Sequence, residues 1–172
     1  MMGPQHRILG GLCGAVVATI QGGTFTTVAM TAIVATCVAH GWSSPDVDQT
    51  DPWRAVARAL PGPLGRAMRH RGITHWPGWV VLAWWGIQSM PPDTQWALTA
   101  LLIGWASHIF GDFVFGVGGG VPMLPWAAGY VGLPFKTGGF LEKQVVRVGM
   151  SLMLAYLLYL PLAVTHALPR IA

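Results

Sequence analysis

Five blocks of apolar residues alternate with polar intervals along the chain, and the pattern predicts helices rather than strands. Ile8 to Ile20 and Thr24 to Ala39 are the first two blocks, parted by Gln21-Gly22-Gly23. Each falls short of the ~20 residues that cross a hydrocarbon core squarely, which leaves a tight helical hairpin or one long kinked span; the glycine pair favours the hairpin, with Gln21 at its tip. The small residues Gly10, Gly11 and Gly14 would let a neighbouring backbone approach the first helix. A third block runs from Trp76 to Met90 and a fourth from Trp96 to Phe110, joined by a turn at Pro91-Pro92-Asp93. The fifth, Val145 to Ala167, is the one block expected to be comfortably long enough to span, with a bend at Pro161.

The longest polar interval separates the second and third blocks. Between Trp53 and Met68 it reads as a short helix broken at Pro61-Gly62-Pro63, with Arg54 and Arg58 on one face. Basic residues recur after the fourth block at Lys136, Lys143 and Arg147, while the turn at Pro91 carries only Asp93. This asymmetry puts both long intervals and the amino terminus on the cytoplasmic side and the carboxyl terminus outside.

Composition agrees with a membrane protein. Hydrophobic residues make up 53% of the 172, charged residues 9%, and mean hydropathy is +0.52, outside the usual range of soluble domains. The net charge of +4 follows the intervals between apolar blocks, so membrane topology accounts for it and direct nucleic-acid binding is not expected. Cys13 and Cys37 lie in apolar segments without metal-type spacing and read as buried thiols. The run after Arg7 is too long for the apolar part of a signal peptide, so it is expected to be retained. The expected architecture is all-α: one domain over residues 1–172, a polytopic membrane bundle of four to five apolar helices with a short basic cytoplasmic segment.

Candidate chemistry gathers at the ends of the blocks. His6 precedes the first, Asp46 and Asp48 follow the second, His70 and His75 precede the third, and His108 and Asp112 close the fourth. Counting crossings brings all seven to the cytoplasmic boundary. Ionisable groups are costly there without a use. His108 and Asp112, at i and i+4, share a helix face suited to one metal ion. Asp46 and Asp48 are expected to aim at a common ion from an extended turn, and their mutual repulsion calls for a cation. Thr74 is available as a cap or supporting hydroxyl, and Arg71 either binds an anionic substrate or pairs with an aspartate of the site. His40 and His166 fall outside this set and are expected to have no catalytic role.

A mixed His and carboxylate set suits zinc, manganese or iron, zinc first, in one or two ions. The chemistry expected is hydrolysis by metal-activated water of a phosphoester or lipid-like substrate at the cytoplasmic membrane face, with Asp48, His75 and Arg71 as candidates for the catalytic steps. No P-loop, GxSxG or dinucleotide fingerprint is present. The rival is a non-enzymatic membrane protein: a metal-binding scaffold, a regulator-binding protein or a transporter.

Ser-Pro-Asp-Val-Asp, His-Arg-Gly-Ile-Thr-His, Ser-His-Ile-Phe-Gly-Asp and Gly-Val-Pro-Met-Leu-Pro-Trp, in that order from residue 44 to 126, resemble the motifs of the YdjM-type family of bacterial inner-membrane-associated metal-dependent hydrolases. The resemblance spans His6 to Glu142. It implies the bacterial inner membrane as location, His6, Asp46, Asp48, His70, His75, His108 and Asp112 as ligand or catalytic residues, and Glu142 as a supporting carboxylate. It also carries a link to binding the SOS repressor, which no residue here can be assigned to. The chain departs from the family pattern at Ser44, Gln49 and Trp76, where the family often has Leu, His and Ser.

Overall fold

The computed structural model describes residues 3–40, 43–116, 120–124 and 129–167, with only the backbone of 160–167. Helices dominate. Helix α1 (Gly3–Ile20) and helix α2 (Phe25–Val38) form the expected hairpin. Gly22, with φ of 72°, makes the reversal, and Thr24 caps α2 by accepting the Thr27 N–H. Thr19, Thr31 and Thr36 return their hydroxyls to carbonyls four residues earlier, which satisfies them inside apolar helices.

Helix α6 (Pro92–Val114) packs against both arms of the hairpin. The three helices meet at small residues. A Cβ on Gly10 would lie 2.7 Å from the Ala35 carbonyl oxygen, one on Gly14 2.7 Å from that of Thr31, and one on Gly104 2.6 Å from that of Ala35. Gly86, on helix α5 (Gly78–Ile87), has open space instead. Gly104→Ala is therefore expected to destabilise by about 1–3 kcal/mol through overpacking. Gly86→Ala should stabilise by up to about 1 kcal/mol through helix propensity alone. Thermal unfolding of the two variants in one detergent checks the difference in sign.

Three details depart from expectation. First, α6 is the described helix that is both long and apolar enough to cross a membrane, at 23 residues, whereas that length was expected of the fifth block. The reason is at its start: Pro92 sits in the first turn, where a missing N–H costs nothing, and the helix runs on through His108 and Asp112. The fifth block divides into a π-helix, Glu142–Met150, and α7 (Ser151–Ala167). Second, the third block is helical only over the ten residues of α5, because Trp76 and Pro77 belong to the preceding turn. Third, Val121–Pro122 (β1) pairs antiparallel with Tyr130–Val131 (β2), two-residue strands too short to show alternation.

The basic interval folds as predicted into two short helices, α3 (Asp51–Ala59) and α4 (Gly62–Ala67). Large apolar side chains remain uncovered on α5 and α7: Val81 is 68% exposed, Trp85 76% and Leu152 68%. Continuous surfaces of this kind mark contact with protein or membrane.

Candidate metal centre

Three local structures converge on the end of α6. The last turns of that helix carry His108 and Asp112 on one face, fully and almost fully buried. The segment after α2 turns at Ser44, whose Oγ accepts the Asp46 N–H at 3.2 Å, and then makes a 3-10 turn over Pro45–Gln49. The third is a loop from Arg69 into a second 3-10 turn, Ile73–His75. Within it Arg71 takes a left-handed φ of 59°, a conformation costing a non-glycine residue about 1–2 kcal/mol. That geometry aims the Arg71 N–H at Asp48 Oδ2, 3.0 Å away, while its Nε lies 3.2 Å from Asp112 Oδ2.

Asp48 is the hub of the loop. Its Oδ1 accepts from His70 Nδ1 at 2.8 Å, and its Oδ2 accepts from the Arg71 N–H, from Thr74 Oγ1 at 2.5 Å and from His75 Nδ1 at 3.1 Å. Burial alone would push this carboxyl up, but the hydrogen bonds from His70, His75 and Thr74 outweigh it and hold it well below the usual carboxylate range. Its contribution to stability is thus complete above its ordinary value of 3.8 and is lost only as pH falls below that, through the depressed folded value.

The two aspartates do not point at one place, as the extended turn was expected to make them do. On a 3-10 turn, residues two apart project in different directions. Asp48 meets the Nδ1 side of the His75 ring and Asp46 its Nε2 side, with Oδ1 3.8 Å from that nitrogen.

The tautomers follow from these partners. His108 Nδ1 lies 2.8 Å from the Ala39 carbonyl oxygen, which can only accept, so Nδ1 carries the proton. His75 Nδ1 likewise donates to Asp48. Each ring then turns its Nε2 inward, and both Nε2 atoms are buried without a hydrogen-bond partner. What they face is negative. His75 Nε2 is 3.5 Å from Asp112 Oδ2, and His108 Nε2 is 3.6 Å from Asp46 Oδ1 and 3.8 Å from Asp112 Oδ2.

The Arg71 guanidinium beside Asp112 Oδ2 and the Gln49 amide on Asp46 Oδ1 offset part of the repulsion in this crowd of acceptors, and a cation among them would offset the rest. The spacing fits one. Tetrahedral ligands at roughly 2.0–2.2 Å from an ion stand about 3.3–3.6 Å from each other, whereas N–H···O hydrogen bonds span about 2.7–3.2 Å. The contacts of His75 and His108 with Asp46 and Asp112 lie at or just beyond the first range, and those around Asp48 lie in the second. The structure thus has buried His and Asp groups that can hold a metal ion, among them Asp46–His75–His108 and His6–His108–Asp112. His6 stacks on His108, with ring centroids 3.8 Å apart, and brings its Nε2 to 3.3 Å from Asp112 Oδ1.

All seven residues selected from the sequence therefore meet in one place, with Arg71 and Thr74 beside them. Glu142 lies at the start of the π-helix, buried, accepting the Gly138 N–H at 2.6 Å. Pro125 and Trp126 of the glycine-proline motif and the His166 side chain lie outside the described residues. Two neighbours were missed. Gln49 Nε2 donates to Asp46 Oδ1 at 2.6 Å, and His40 Nδ1 lies 3.6 Å from Asp46 Oδ2. Gln49 follows Asp46 by three residues, a signal readable only once the turn is known to be 3-10. A backbone acceptor such as Ala39 has no side-chain signature at all.

Compared with models of protein families, the chain matches the YdjM inner membrane protein over residues 1–167. The chain belongs to the YdjM inner membrane protein family. Searches of curated proteins and of solved structures return no match. Membership makes the chain an inner membrane protein and bilayer contact its natural setting, in keeping with the uncovered apolar faces of α5 and α7.

Proposed function

We propose that the chain is a membrane-bound metal-dependent hydrolase acting on a phosphoester at the cytoplasmic face of the inner membrane. The observation that carries this reading is the pair of bare imidazole nitrogens, His75 Nε2 and His108 Nε2, set against the carboxylates of Asp46 and Asp112. These four side chains would hold one ion. Two imidazole nitrogens with two carboxylate oxygens are a donor set that suits zinc before manganese or iron. A divalent ion here would supply Lewis acidity toward a phosphoryl or carbonyl oxygen and lower the pKa of water to about 7.

The chain's own groups divide the remaining work. Asp48 fixes the tautomer and orientation of His75, the role a supporting carboxylate plays behind a ligand histidine. Gln49 fixes Asp46, and His6 stands behind Asp112. Arg71 adds a fixed positive charge beside Asp112. His70 is placed to move a proton: its Nδ1 is tied to Asp48, its side chain is 43% exposed, and it borders a cavity of about 370 Å³. Arg54, Arg58 and Arg69 also line that cavity, which suits an anionic group of the substrate. Multi-pass topology with this centre on the cytoplasmic side follows from the basic intervals flanking the α5–α6 pair.

The test is hydrolysis by purified protein loaded with zinc or manganese, across phospholipids, phosphomonoesters and carboxylic esters. Turnover of a phosphoester that disappears on chelation is expected. Metal-loaded protein inert toward every class would overturn the proposal.

A further inference from the structure

A second cavity, of about 450 Å³, lies along the α5–α6 pair and is almost wholly apolar. Its volume is within the roughly 300–1,000 Å³ of small-molecule sites. Ile87 and Leu98 line it toward the Pro91 turn, and Trp79, Trp105, Val38 and Ser43 toward the metal centre. Leu98 and Trp105 are seven residues apart on one helix, so this wall is about 10 Å long.

Three of those residues tie the cavity to the centre through their chain neighbours. Val38 precedes Ala39, whose carbonyl oxygen takes the His108 Nδ1 proton; Ser43 precedes Ser44, which caps Asp46; and Trp105 lies one turn before His108 on α6.

An apolar cavity whose lining residues adjoin the centre along the chain, and an arginine-lined cavity bordered by Asp48 and His70, describe a ligand of split polarity. We infer that the substrate is a lipid phosphate, with a hydrocarbon chain seated between α5 and α6 and its phosphate at the centre beside Arg54, Arg58 and Arg69. This rests on the hydrolase reading for the fate of the phosphate, but chain binding does not depend on turnover.

Photo-crosslinking tests it. The probe is decyl phosphate with a diazirine at the chain end, added to full-length protein in phosphatidylcholine nanodiscs, with labelled peptides mapped and metal content measured in parallel. Label is expected on the residues that line the cavity, within 79–105, suppressed about tenfold by excess decyl phosphate but not by decanol. Ala83→Trp and Leu101→Trp, made separately to fill the cavity from either wall, should each lose this label while retaining wild-type metal content. Label confined to outward residues such as Val81 and Trp85, or competed equally by decanol, would overturn the inference. The two readings fail separately: specific label on metal-free protein removes the hydrolase reading alone, and phosphoester turnover without specific label removes the chain site alone.

Discussion

His108→Ala is expected to abolish metal binding, and with it hydrolysis, while leaving the helical content intact. The substitution removes one of two bare nitrogens from the cage, frees the Ala39 carbonyl and unstacks His6. The remaining donors, His75 Nε2 with Asp46 and Asp112, could still approach an ion, but the charge-neutral fourth corner is gone. At free ion about 1,000 times Kd, binding should stabilise the wild type by about 4 kcal/mol. The variant should show no such ion-dependent rise in melting temperature. An equal rise in both proteins would place the ion somewhere else.

Asp48→Asn is expected to lower metal affinity by about 10–100-fold although Asp48 is not among the four ligands of the proposed site. The carboxylate accepts from four donors. An amide keeps the volume but turns its NH2 toward some of them, so at least one buried donor loses its partner, at a cost of about 1–3 kcal/mol. His75 Nδ1 is then no longer forced to carry the proton, and its Nε2 is no longer reserved for the ion. A structural role alone would lower stability and leave affinity per folded molecule unchanged. Isothermal titration with zinc on protein verified as folded separates the two.

The parts of this architecture legible in the sequence are those set by local rules. Gln21-Gly22-Gly23 announced the hairpin reversal, Pro61-Gly62-Pro63 the break between α3 and α4, and the i, i+4 spacing of His108 and Asp112 their shared face. Apolar blocks ending at histidines and aspartates were enough to pick out side chains that the fold brings together. What remained hidden depends on backbone detail. A 3-10 turn in place of an extended one sends Asp46 and Asp48 to opposite nitrogens of His75, which separates a carboxylate facing the cage from one that orients a ring. Pro92 looked like the end of a turn and proved to be the start of the longest described helix. His40 was set aside on its position alone, yet the chain reversal after α2 returns it to Asp46.

The most direct measurement is elemental analysis of protein purified without added metal, beside the double variant His75→Ala/His108→Ala. About one equivalent of a divalent transition metal, zinc first, is expected in the wild type and none in the folded variant. Wild-type protein that carries no metal and takes up neither zinc nor manganese on titration would contradict it.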